Sequence, residues 1–457
     1  MRLAGARVTV VGLGQSGLSV ARLLVAQHAL VTVNDARKAD AIGKLADEAR
    51  VLGVTLELGG HDAARLAESE LIVVSPGVPN LPEFALAEQR GVPIIGEIEL
   101  ASWFIEGTVI GITGTNGKST VTTLVGNMCQ GSGRPTFVGG NLGTPLCEVV
   151  GTDAAKPGGL VVVELSSFQL ERIERFRAHV GVLLNVTDDH LDRYASLAEY
   201  AAAKGRLFAT QKATDFAVAP SGDPLSISLA RVSPGKLCLF GGEGGEIRRE
   251  RVDHEDTLVD HGGCLRLPAD SVGIRGEHNI ANAAAAALAA RLVGIAPTVI
   301  AEVLRSFRGL PHRMQHIAAV QHVDYYDDSK ATNVGAAVAA IAGFARQKIK
   351  VVLIAGGKDK GGSYAPLRAA LERHGAGLIL IGEASDLIAA AFAGSALPIA
   401  RAATMQEAVQ AAHRLARWGE SVLLAPACSS FDMFRSYAHR GDVFRDAVLA
   451  LQKEHDG

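Results

Sequence analysis

Aromatic residues make up only 5% of this 457-residue chain, cysteines number five, and neither sign of charge predominates. Each scarcity removes a class of protein. Lysine plus arginine (45) nearly balances aspartate plus glutamate (48), for a formal charge of −3. No long-range field draws such a chain to nucleic acid or an anionic membrane, so any anionic ligand must be caught by local positive groups. Cys129, Cys147, Cys238, Cys264 and Cys428 are scattered, odd in number and without metal or disulfide spacing. They read as reduced thiols of a cytoplasmic protein. Long apolar runs are missing too: the alanine-rich stretch from Ala281 to Val293 contains Asn282 and Arg291 and is too short to span a bilayer. Residues 1–7 lead straight into a strand pattern, so no secretory leader is expected.

What is abundant is small and apolar. Hydrophobic residues are 48%, and 51 glycines accompany many alanines, the composition of α/β units with close-packed helices. The length predicts several domains. Strand and helix patterns alternate throughout and place them at 1–97, 98–307 and 308–457. The expected fold is α/β: a Rossmann-like N-terminal domain, a central P-loop ATPase-like domain with a mainly parallel sheet, and a Rossmann-like C-terminal domain.

The most informative stretch is Gly111–Thr120, GITGTNGKST. A β-branched run, 107–110, precedes it and a helix pattern from Val121 follows. Gly114 and Gly117 let backbone N–H groups converge around Asn116, and the helix N-terminus adds its dipole. Lys118 would reach the β- and γ-phosphates, and Ser119 or Thr120 would offer Mg²⁺ a hydroxyl. The longer Gly-x-x-x-x-Gly-Lys-Ser pattern is not met, because Ile112 stands where it wants glycine. The shorter loop still predicts a nucleoside triphosphate.

In the first segment, strand Arg7–Val11 runs into Gly12-Leu-Gly14-Gln-Ser-Gly17, and a second strand ends in Asp35. That pattern serves a nicotinamide or flavin cofactor, another nucleotide, or simply close helix–strand packing. Centrally, the apolar strand Leu160–Val163 ends in Glu164, a carboxylate placed to coordinate Mg²⁺ or to cap the next helix. Another strand ends in Val186-Thr-Asp-Asp-His190-Leu-Asp192, denser in acids than a solvated loop needs. Lys204 lies on an apolar helix and reads as a surface lysine. Asn279 and Asn282, one helical turn apart, suit an adenine edge or a helix cap. In the third segment the strand ends are basic and hydroxyl-rich: Lys330, Thr332, Lys358, Lys360, Ser429 and Ser430. They predict a carboxylate or phosphate pocket. A triphosphate site beside sites for anionic substrates fits ATP-driven ligation, in which a carboxylate is phosphorylated and then attacked by an amine.

Taken together, Thr113–Thr120, Glu164–Leu170, Asn185–Asp192, His278–Asn282, Leu310–Arg313, Asp328–Asn333 and Pro426–Asp432 resemble the Mur ligases, in order and over essentially the whole chain. The resemblance implies addition of D-glutamate to UDP-N-acetylmuramoyl-L-alanine. It replaces the dinucleotide reading of the first segment with a UDP-sugar site of Gln15, Ser16, Asp35, Arg37, Ser75, Pro76 and Gly77, with Asn141 and His190 farther along the substrate. It also implies two Mg²⁺ ions, with Ser119, Glu164, His190 and Lys204 in their shells, the last as a carbamate formed from CO₂. Asn279, Arg313 and Asp328 would hold adenine, phosphate and ribose. Thr332, Lys360, Ser430, Phe431 and Tyr437 would surround glutamate, with Lys118, His190, Lys204 and Lys330 doing the catalytic work. A monomer is expected. The rivals share the chemistry: L-glutamate as substrate, another muropeptide ligase, or a folylpolyglutamate-type enzyme. The Asp-x-Pro-Arg signature of a diaminopimelate-adding relative is missing from the third segment.

Overall fold

The computed structural model describes residues 2–456 except Leu142, His190, Leu191, Asp192 and Arg275, with the side chains of all but Arg346 and Asp456. His190, an expected catalytic, metal and substrate contact, thus lies outside the described residues. By packing, the chain divides into two units: Met1–Val186 with Ala201–Val272 and Ile280–Ser306, and Thr187–Tyr200 with Gly273–Asn279 and Phe307–Gly457.

The first unit opens with five short strands, β1 (Arg7–Val11), β2 (Leu30–Asp35), β3 (Thr55–Leu58), β4 (Leu71–Val74) and β5 (Ile94–Gly96). All pair in parallel, in the order β3-β2-β1-β4-β5. Val8, Val10, Val11 and the whole of β4 are buried, as a sheet covered on both faces requires. The order reverses between β1 and β4, so the turns following those two strands meet at the carboxyl edge. There the Ser75 hydroxyl donates to the Gly12 carbonyl at 2.7 Å. The three glycines of the fingerprint have separate reasons. Gly12 has φ 95°, Gly14 precedes the helix Gln15–Ala26, and a Cβ on Gly17 would strike the Gly12 carbonyl.

The second sheet of this unit contains β6 (Thr108–Thr113), β7 (Thr136–Gly140), β8 (Leu160–Glu164), β9 (Val180–Leu183), β10 (Phe216–Pro220), β11 (Lys236–Gly241), β12 (Ile247–Val252), β13 (Glu255–Asp260) and β14 (Arg266–Pro268). Their order is β14-β13-β12-β11-β10-β9-β6-β8-β7. Pairing is parallel from β7 to β12, and the last two contacts are antiparallel. One sequence expectation is corrected here. Gly111–Thr113 is the end of strand β6, not loop: Gly111 is there because a Cβ would come within 2.9 Å of the Leu207 side chain. β10 is an interior strand between β9 and β11.

The two sheets of the first unit are fastened by buried acids on the helix Glu97–Ser102. Glu99 is wholly buried, and its carboxylate accepts from the backbone N–H groups of Glu174, Arg175 and Phe176 and from the Trp103 indole, all at 2.8–3.0 Å. Glu97 accepts from the Cys147 N–H at 2.7 Å, and burial pushes its carboxyl up to about 7. The Gly96 N–H donates to the Arg172 carbonyl at 3.1 Å.

The second unit holds the third sheet, in the order β15-β16-β20-β17-β18-β19: β15 (Gln315–Val320), β16 (Val323–Asp327), β17 (Val351–Gly356), β18 (Gly375–Ile381), β19 (Ile399–Arg401) and β20 (Ser421–Leu424). Only β15 runs antiparallel. The core lies on both faces of β17, β18 and β20. Among the described residues no helix is long and apolar enough to cross a membrane.

Candidate active site

Strand β6 delivers the loop Gly114–Gly117 directly to the helix Lys118–Gly131. Gly114 (φ 153°) and Gly117 (φ 85°) make the turn, and a Cβ on Gly117 would meet the Asn282 amide oxygen. Asn282 therefore buttresses the loop from the alanine-rich helix. Asn185, at the end of β9, clamps the tip: its amide oxygen accepts from the Asn116 N–H at 2.8 Å and its NH₂ donates to the Asn116 carbonyl at 3.1 Å. Sequence reasoning missed this clamp, because an asparagine after a strand reads equally well as a turn residue.

Two lysines converge on the same carbonyl. Lys118 Nζ donates to Gly114 O and Thr115 O, each at 2.8 Å, and Lys204 Nζ donates to Gly114 O, also at 2.8 Å. Lys204 is only 1% exposed, which corrects its reading as a surface lysine. The short helix Leu197–Gly205 turns this one polar side chain inward among small residues, a pattern without period that sequence could not resolve.

Glu164 ends β8 with 2% exposure. Its Oε1 accepts from the Asn141 NH₂ at 2.7 Å, whereas Oε2 is buried without a hydrogen-bond partner. A buried carboxylate oxygen in that state is costly unless a cation or proton satisfies it. The Ser119 hydroxyl is also buried, in the first turn of the phosphate helix. One carboxylate and one hydroxyl suit Mg²⁺, which keeps waters and phosphate oxygens as its remaining ligands. Among the described residues no group of three or more His, Cys, Asp or Glu gathers to hold an ion.

At the edge of the first sheet, Gln15 and Ser16 begin a helix whose N-terminus has no side-chain cap, and Ser75, which opens the turn Ser75-Pro76-Gly77 after β4, bonds back to Gly12. Asp35 turns out to be an organiser: its carboxylate accepts from the Leu13 N–H at 2.7 Å and from the Arg37 guanidinium at 2.7 and 3.0 Å, while Arg37 also donates to Leu13 O at 3.1 Å. Burial raises the Asp35 pKa, but the Arg37 bond and charge and the N–H groups of Leu13 and Arg37 outweigh it and hold the carboxyl at about 2. A depressed carboxyl contributes stability above its unfolded value of 3.8 and loses it as pH falls through about 2. Asp35→Asn is therefore expected to lower the melting temperature above pH 3.8 and to flatten the acid limb of thermal melts recorded between those two values.

In the second unit the ends of β16, β17 and β20 supply the expected residues. Asp328 follows β16 and accepts from the Met314 N–H at 3.3 Å. Burial pushes its carboxyl up to about 7 against the pull of Arg313. Lys330 lies over the Tyr437 ring, 3.9 Å from the centroid, a cation–π contact. Tyr437 thus offers its face to the lysine. The Thr332 N–H donates to Lys330 O at 2.8 Å. Lys360 Nζ is 3.6 Å from the Asp189 carboxylate, which also accepts from Asn333 at 3.1 Å. Ser430 is buried and Phe431 is 72% exposed beside it. Asn279 lies in the first turn of the helix Glu277–Leu292.

Arg440 went unread in the sequence. Wholly buried, it donates to Ser329 Oγ and O at 2.9 Å and to the carbonyls of Cys428 and Ser429 at 3.2 Å. It thereby ties the loop after β16 to the loop after β20. Its only signal was an arginine within an amphipathic helix, which ordinarily means a solvated face.

Comparison with known proteins matches three family domains along the chain. The Mur ligase MurD-like N-terminal domain matches residues 6–96, the Mur ligase middle domain 112–290 and the Mur ligase glutamate ligase domain 312–428. UDP-N-acetylmuramoylalanine–D-glutamate ligase of Geotalea daltonii is 45% identical over 456 residues, 99% of each chain. Its counterpart in Anaeromyxobacter dehalogenans is 45% identical over 455 residues, 97% of each. Among solved structures, MurF ligase of Thermotoga maritima in complex with ADP superposes with a TM-score of 0.63 at 18% identity, over 99% of this chain and 96% of that one. UDP-N-acetylmuramate-alanine ligase of the same organism gives 0.62 at 19% identity, over 97% and 99%. The likeness to these two structures is one of fold.

Proposed function

The chain belongs to the Mur ligase family, and on that premise we propose that it joins D-glutamate to UDP-N-acetylmuramoyl-L-alanine with ATP, as a cytoplasmic monomer making peptidoglycan precursor. Residues 1–97 would take the UDP-sugar, 98–307 ATP and 308–457 the amino acid. The observation that carries the reading is the convergence of Lys118 and Lys204 on the Gly114 carbonyl. A loop that holds its own lysine on carbonyls is preset to exchange them for phosphate oxygens.

The chemistry follows from the groups present. Lys118 would hold the γ-phosphate while the alanyl carboxylate attacks it, giving acyl phosphate and ADP; its ammonium offsets the charge moving through the phosphoryl group. Asn141 would orient the muramoyl arm. Asn279, Arg313 and Asp328 would hold adenine, phosphate and ribose, and Lys330 the acyl and phosphoryl oxygens. Lys360, Thr332, Ser430, Phe431 and Tyr437 would hold glutamate while its amine, once deprotonated, displaces phosphate from the acyl carbon. Ser119 and Glu164, with His190 and a carbamylated Lys204, would hold Mg²⁺, which supplies Lewis-acid neutralisation of the phosphates when bound. The orphaned Glu164 oxygen supports this. A carbamate on Lys204 is supported by its burial and by the like charge of Lys118 across a shared acceptor.

The test is phosphate release by the purified protein with UDP-N-acetylmuramoyl-L-alanine, ATP, Mg²⁺ and one glutamate enantiomer at a time. Turnover with D-glutamate is the expected outcome. Turnover confined to L-glutamate would reject the stereochemistry, and none with either would reject the assignment.

A further inference from the structure

The loop after β17 carries Lys360 on a run of glycines in left-handed or otherwise strained backbone: Gly356 (φ 124°), Gly357 (φ 131°) and Gly361 (φ 78°). Such a run has much freedom to lose, so a cation near its tip is placed only if something outside the run holds it. One such hold is the Asp189 carboxylate, 3.6 Å from Lys360 Nζ; the other reaches the loop through Asp359, whose carboxylate is anchored outside the run by Tyr364. Asp359 Oδ2 accepts from the Gly361 N–H at 2.9 Å, bracketing Lys360 on both sides, and Asp359 Oδ1 accepts from the Tyr364 hydroxyl at 2.6 Å. The second distance is that of a charge-assisted O–H···O⁻ bond.

Tyr364 is well anchored for this work. It precedes the helix Ala365–His374, and its ring is buried in the core with Leu367 and Leu371. Its oxygen also meets Cys428 Sγ at 3.1 Å. The hydroxyl has one proton and gives it to Asp359, so the thiol is the donor in the second contact. Burial keeps that thiol protonated by pushing it up to about 11. A relay therefore runs from the Cys428 thiol through the Tyr364 hydroxyl to the Asp359 carboxylate, across the loops after β20 and β17. The same two loops already meet through the backbone, where the Lys358 and Ser429 N–H groups exchange bonds at 3.0 Å. The relay adds a second tether one residue from each end of the first, on the side of Lys360.

We propose that Tyr364 is a positioning residue for the amino-acid substrate: its hydroxyl, acting through Asp359, sets where the Lys360 ammonium stands. This deepens the proposed site and rests on Lys360 as the partner of the glutamate carboxylate. Steady-state kinetics on the full chain test it, with Tyr364→Phe, Asp359→Asn, their combination and Lys360→Ala, each also melted thermally. Tyr364→Phe is expected to raise the KM for D-glutamate roughly fivefold to tenfold, the worth of about one hydrogen bond. The KM values for ATP and the muramoyl substrate, kcat and the Tm should stay put. Asp359→Asn should do likewise, and the double variant should be no worse than the worse single one. A raised KM in Lys360→Ala with none in Tyr364→Phe overturns the proposal and leaves the site standing. An unchanged KM in Lys360→Ala overturns the site and this inference with it. A Tyr364→Phe protein that melts early and raises all three KM values together has lost packing only, which overturns the proposal as well.

Discussion

Lys118→Ala is expected to lower kcat by roughly 10²–10³-fold, the cost of removing one donor that acts where charge moves in the transition state. The lysine gives two bonds to its own loop, which hold its ammonium at the cradle. Ground-state binding of ATP should weaken less than turnover, since Asn116, the helix N-terminus and the glycine turn remain. Isothermal titration with a non-hydrolysable ATP analogue, set beside phosphate release, separates the two effects. A variant that binds the analogue poorly yet turns over at the parental kcat would assign Lys118 to binding alone.

Lys204→Ala should lose at least as much activity, and part of the loss should return with added formate or acetate. The reasoning is steric and electrostatic. The side chain is buried and reaches Gly114 O across the cradle, so its truncation leaves room for a small carboxylate where the proposed carbamate oxygens would stand. Lys204→Arg keeps a cation and should stay inactive with or without the additive, because a guanidinium cannot be carbamylated and leaves no room. An independent readout is a carbamate resonance after incubation with carbon-13 bicarbonate, present in the parent and lost in Lys204→Ala. Full activity of Lys204→Ala without any carboxylate would reject the role.

Most of the architecture was legible because buried parallel strands write themselves as continuous apolar runs. Arg7–Val11 and Leu160–Val163 are strands where the pattern put them. What was not legible had little pattern to offer. β3 is four half-exposed residues, β10 is diluted by alanine, and the antiparallel β12–β13 pair is rich in charge. Motif residues such as Gly114, Lys118, Glu164 and Asp328 were visible as types at strand ends. Their supports were not. Asn185 and Arg440 act on partners 69 and 111 residues away, Tyr364 meets Cys428 64 residues on, and only the fold brings those pairs together.

The seam between the first two sheets bears on how this molecule can be taken apart. The Cys147 amide spends its hydrogen on Glu97, the Gly96 amide spends its own on Arg172, and the Arg172 guanidinium in turn donates to Asn80 and rests over the Phe84 ring. A fragment ending at residue 97 would leave those partners behind, and with them a carboxyl group shaped for a dry neighbour. Chimaeras that exchange the nucleotide module between homologues would therefore have to carry the 146–149 turn and residue 172 along with it.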